Sequence, residues 1–156
     1  MKKIKTFLFL TTLLFAFLVK AQETPKAVLS SADIDLFIKT LKPLQKDIEK
    51  LGKEYENIND PNALQALAAG EDVKAIFKKY GWSDDYFLKV SAITNAYAYL
   101  KMEKEYDNLP EEQKVYMKQM MEQYKVGNKD LVNDVDLKLI DSKFDLLDTF
   151  FLEYKD

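Results

Sequence analysis

Apolar positions along this chain recur at steps of three and four residues, and no window alternates as a strand would. From Ile34 the recurrence runs through Phe37, Leu41, Leu44, Ile48, Leu51 and Tyr55, one helical stripe sustained over three heptads. Ser30, with Asp33 three positions later, forms a capping-box start for it. Pro43 falls inside the stripe and predicts a kink near Thr40, because proline removes a ladder donor and crowds the preceding turn.

Punctuation residues divide the remainder. Asp60-Pro61 is a helix start, and Gly70 is expected to split the following segment into two short helices. Gly81 suits the left-handed position that closes the second of them. Ser83 is expected to cap the next helix, with Asp84 and Asp85 at its positive end, and that helix runs to about Tyr106. Pro110 restarts the chain, Gly127 stops it again, and a single last helix is expected from about Asp130 to Tyr154. The prediction is an all-α chain: an antiparallel bundle of five to six helices with short connections.

The helix after Gly81 carries two apolar lines. Tyr86, Val90, Ile93, Tyr97 and Leu100 form one; Leu88, Ala92, Asn95, Tyr99, Met102 and Tyr106 form another on roughly the opposite side. A helix apolar on two sides is expected in the middle of a bundle, with Trp82 stapling the Gly81 turn onto the core. Should the second line face outward instead, it becomes a contact surface, and Tyr99, Met102 and Tyr106 are its candidates. The next helix adds Met117, Met120 and Met121, pliable side chains suited to a core or to an adaptable contact.

The N-terminus changes the picture of where the chain goes. Lys2, Lys3 and Lys5 precede an apolar run from Phe7 to Val19, and Val19-Lys20-Ala21 ends it as a signal peptidase site would. The run is too short for a stable membrane anchor. The expectation is a cleaved leader over residues 1–21, a flexible lead-in over 22–29 and a single helical domain over 30–156, located in the periplasm or secreted. With no cysteine in the chain, a lipid anchor of the bacterial lipoprotein type is excluded.

Composition removes whole classes of chemistry. Net charge is −3, and loss of the leader's four lysines would take it to about −7. Every basic residue is lysine, so the dense arginine-bearing charge that nucleic acid demands is missing, and no nucleic-acid partner is expected. Without histidine or cysteine, Ser-His and Cys-His nucleophile pairs and His-based metal sites cannot form. No disulfide can brace the fold, so stability must come from buried apolar area.

What chemistry remains is weak. Asp134, Asp141, Asp145 and Asp148 share one face of the last helix with Lys138. A calcium loop needs ligands converging from a turn, with a glycine at the bend, so this row is expected to be a solvated face. The opposite arc, Val135, Leu139, Ile140, Phe144, Leu147, Phe150 and Phe151, is the expected core side. Met117 and Met120 are spaced as a Cu(I)-binding pair would be, but nothing else in the chain supports a metal. No pair of carboxylates stands out as hydrolytic machinery. No catalytic residue, metal or cofactor is expected.

The segment "LPEEQKVYMKQMMEQ", Leu109 to Gln123, resembles the L-T-x-x-Q motif of the Spy-type periplasmic chaperones; Leu109 and Gln113 match, and Pro110 stands where the threonine would be. The resemblance implies a helical, exported protein that contacts other proteins, although those chaperones resemble basic cradles and this chain is acidic. The "YGWSDDYF…AYAYLK" pattern is similar to small exported helical proteins of unknown function from Gram-negative bacteria, and brings no activity with it. The expectation is an exported interaction module, chaperone-like in its contacts, whose partner is a protein; the alternative is a carrier holding a hydrophobic ligand between helices.

Overall fold

A computed structural model describes residues 27–52, 70–128 and 131–154. Within them the chain is all-helical, with six helices and no strand: α1 (Ser31–Gly52), α2 (Glu71–Lys79), α3 (Tyr86–Tyr106), α4 (Glu111–Gly127), α5 (Asp134–Ser142) and α6 (Phe144–Tyr154). The expected leader, Tyr55 at the end of the first stripe, and the Asp60-Pro61 helix start lie outside the described residues.

α1 begins as a reciprocal capping box. The Ser30 amide donates to Asp33 Oδ2 at 2.8 Å while the Asp33 amide reaches Ser30 Oγ at 3.4 Å, so two donors that the helix leaves orphaned are satisfied. The stripe of Ile34, Phe37, Leu41, Leu44 and Ile48 is buried. The helix runs unbroken through Pro43. Phe37 is the centre of the core, its ring 5.8 Å from Phe150 and 5.9 Å from Phe151 of α6.

α2 lies on α1 and stops by a Schellman motif. Gly81 adopts φ 89°, its amide donates to Lys78 O at 3.0 Å and the Trp82 amide to Phe77 O at 3.1 Å. The motif's hydrophobic contact is present as well, with the Trp82 ring edge-on to Phe77 at 6.1 Å. Trp82 is buried and its indole N–H donates to Thr40 Oγ1 at 3.0 Å, so the indole staples the turn to α1. Asp47 of α1 holds the same end of α2, accepting from Lys79 at 2.7 Å and the Tyr80 hydroxyl at 2.9 Å.

α3 is the central element, packed against α1, α4 and α5. Ser83 does not cap it. The N-cap position is Asp85, and the Ser83 hydroxyl donates to the Asp85 carboxylate and accepts from no helix amide. Tyr86, Val90, Ile93 and Leu100 on one line are buried, and so are Ala92, Asn95 and Tyr99 on the other; Met102 and Tyr106 are half-buried and Leu88 is exposed. Neighbours on several sides bury most of both lines and leave Leu88 in solvent.

The last helix is two helices. Lys143 sits at φ −115°, ψ 11°, outside helical geometry, and its amide donates to Ile140 O in a terminal turn. The Ser142 hydroxyl donates to Leu139 O at 2.6 Å, a local bond that competes with the ladder at this point. Within α5 the apolar face differs from the expected arc: Leu137 is buried, and Val135, expected on the core side, is exposed, whereas Phe144, Leu147, Phe150 and Phe151 beyond the break are buried as expected. Nor is the lead-in free at its end. Asp136, completely buried, accepts from the Val28 amide at 3.0 Å and the Leu29 amide at 3.1 Å, and Leu29 joins the core.

Candidate functional site

The six residues singled out by pattern, Tyr99, Met102, Tyr106, Met117, Met120 and Met121, gather along the seam between α3 and α4. Three cross-helix contacts set the register there. The Tyr124 hydroxyl donates to Asn95 Oδ1 at 2.6 Å, Lys125 Nζ lies 5.6 Å above the Tyr99 ring, and Lys114 Nζ lies 5.9 Å from the Tyr106 ring. These contacts run in opposite chain directions, so the two helices are antiparallel, and Met102 stands level with Met117 and Met121. Tyr99 is buried; the other five are half-buried, and Met121 packs against the core beside Tyr124.

Burial sets the chemistry of the seam's phenols. It pushes Tyr124 up to about 12 and raises Tyr99 as well, where the neighbouring Glu103 acts in the same direction. Both are therefore hydrogen-bonding, un-ionised side chains at ordinary pH. The Asn95 amide is oriented by its own bond from Nδ2 to Ser91 O at 2.8 Å, which leaves Oδ1 to accept from Tyr124. The C-terminal half of α4 is thus held by Tyr124, by Met121 and by Lys125, which reaches Asp134 at 3.1 Å. Its N-terminal half contributes only half-buried side chains.

The outer side of α4 is different in kind. Val115 is 66% exposed, Tyr116 70% and Val126 75%, and α4 alone among the six described helices buries no side chain completely. Apolar residues on the solvent side of a helix with so little packed area are not needed for the core.

The aspartate row disperses. Asp134 and Asp141 are exposed and pair with Lys125 and Lys104, Asp145 is exposed, and Asp148 is half-buried. Asp148 faces protein: it accepts from the Tyr97 hydroxyl at 2.7 Å and from Lys101 Nζ at 2.6 Å. Burial, with the Asp148 carboxylate beside it, drives the Tyr97 phenol far above the ordinary tyrosine range, and its ring stacks on Phe151 at 4.4 Å. Among the described residues no three acidic side chains converge as metal ligands would.

Two residues escaped the pattern reading. Tyr97 read only as core, although its hydroxyl joins the Asp148–Lys101 cluster. Asp136 was passed over, although Asn133 three residues before it is a visible N-cap; the Asn133 side chain accepts from the Val135 and Asp136 amides at 3.1 and 2.9 Å and also donates to the Asp136 carboxylate. No helix among the described residues is long and apolar enough to cross a membrane. No protein-family model, curated protein or solved structure matches this chain.

Proposed function

We propose that this protein is an exported helical interaction module that works by contacting apolar segments of other proteins, with α4 as its contact element. One observation carries the reading: α4 buries no side chain completely and still presents Val115, Tyr116 and Val126 to solvent at 66%, 70% and 75% exposure. A helix that served only to cover α3 would be expected to place its apolar residues inward and polar residues here. The methionines behind it suit the role, since unbranched thioether side chains repack around contacts of varied shape. The leader-like N-terminus supplies the proposed location, the periplasm or the medium beyond it.

The test is aggregation of a reduced globular protein followed by light scattering. The wild-type chain should suppress scattering at stoichiometric amounts. The triple variant Val115→Ser, Tyr116→Ser, Val126→Ser should lose that effect while keeping its urea midpoint, because surface substitutions typically move stability by only about 0.5 kcal/mol each. Full activity in the triple variant, or no suppression by the wild type, rejects the proposal.

A further inference from the structure

Among the described residues, sulfur is held in one place. The chain contains five methionines and no cysteine. Four of the five, Met102, Met117, Met120 and Met121, fall within the described residues, and all four are half-buried on the two helices of the α3/α4 seam. The core around Phe37, Ile93, Ile140 and Leu147 contains no sulfur. We infer that this seam is a redox-responsive latch, in which oxidation of its thioethers by a peroxide or hypohalous acid releases α4 from α3.

The chemistry is a two-electron oxygen transfer. With hydrogen peroxide, the sulfur attacks one peroxide oxygen, the O–O bond breaks, an S–O bond forms and the second oxygen leaves as water. The thioether is oxidised to a sulfoxide and the peroxide is reduced. Half-burial permits this, since each of these side chains is partly open to solvent. It also gives the product its effect: a sulfoxide is a strong acceptor that water satisfies and a packed seam does not, so it favours the undocked helix.

The response is confined to α4 by its attachment. With no completely buried side chain, α4 has little packing to lose before it separates, whereas α1, α3, α5 and α6 share the sulfur-free core. Sulfoxides are reversed by reductases specific for each epimer, so the latch can close again. The inference rests on the reading of α4 as a contact element only for its biological use; release itself follows from the seam.

The experiment treats the full purified chain with hydrogen peroxide and reads amide exchange by mass spectrometry, with peptide mapping to locate each added oxygen. Expected are added oxygens on Met102, Met117, Met120 and Met121, and exchange across residues 111–127 accelerated at least about tenfold, with peptides from α1 and α6 unchanged. A pair of methionine sulfoxide reductases should restore slow exchange. The fourfold variant Met102→Leu, Met117→Leu, Met120→Leu, Met121→Leu should show no response; if it does not fold, reductase reversal on the wild type decides alone. Three results overturn the latch: sulfurs that resist doses oxidising them in the urea-unfolded chain, oxidised seam methionines with unchanged α4 exchange, or unfolding of all helices together. None of these readouts involves a client protein, so failure here is separate from failure of the aggregation assay.

Discussion

The phenol of Tyr124 donates to the side-chain carbonyl of Asn95 at 2.6 Å, tying the last turn of α4 to the middle of α3. Asn95 is buried and its amide is already committed to Ser91 O, so its carbonyl depends on this donor. The bond lies at the one end of α4 that is anchored to the core.

Tyr124→Phe keeps the ring and removes the donor, leaving a buried carbonyl unsatisfied, and should cost about 1–3 kcal/mol in urea unfolding. The same phenol makes stability depend on alkaline pH. Burial raises its pKa to about 12 against an ordinary 10, so the folded chain holds the proton more tightly than the unfolded one. Its contribution is complete below about pH 10 and is lost as pH rises towards about 12. Urea midpoints across that range should fall less steeply in Tyr124→Phe than in the wild type; equal slopes would show that Tyr124 does not carry the effect.

The two lines of α3 should differ from the outer side of α4 in what truncation costs. Ile93→Ala and Leu100→Ala leave cavities and are expected to cost about 2–5 kcal/mol, and Tyr99→Ala, buried on the other line, a similar amount. Met102→Ala and Tyr106→Ala, half-buried, should fall between these and Val115→Ala, which should stay within about 0.5 kcal/mol. Denaturant melts check the order. A neutral Tyr99→Ala would contradict the burial of the second line.

Asp136 holds the chain entering α1 from a position 108 residues away. Asp136→Ala strips the acceptor from the Val28 and Leu29 amides and from Asn133, and should cost at least about 1–3 kcal/mol. Amide exchange at Val28 and Leu29 should accelerate well beyond that of the α1 interior. Unchanged protection of those two amides would show that Asp136 is not what holds them.

Cleavage after Ala21 is expected when the gene is expressed in a bacterium with the general export machinery, with the product soluble in the periplasmic fraction. N-terminal sequencing reads this directly, and a membrane-bound protein retaining Met1 would refute it.

Helix class, the α1 stripe and the Gly81 turn were legible in the chain because each is written in local spacing. Ser30 and Asp33 lie within one turn, Ile34 to Ile48 repeat with the helix period, and only glycine takes φ 89° at no steric cost. The break at Lys143 was not legible: no glycine or proline marks it, and the Phe150 and Phe151 rings beyond it pack on Phe37 of α1, a partner far earlier in the chain. The same holds for Asp136 and Asp148. Asp148 was assigned to a solvated face and Asp136 was passed over, and only the docking of residues 28–29 and of Tyr97 with Lys101 supplies the donors that make burial tolerable. Periodicity records which side of a helix is apolar. Which neighbour covers that side, how completely, and which polar groups are drawn in with it are decided by partners distant in the chain.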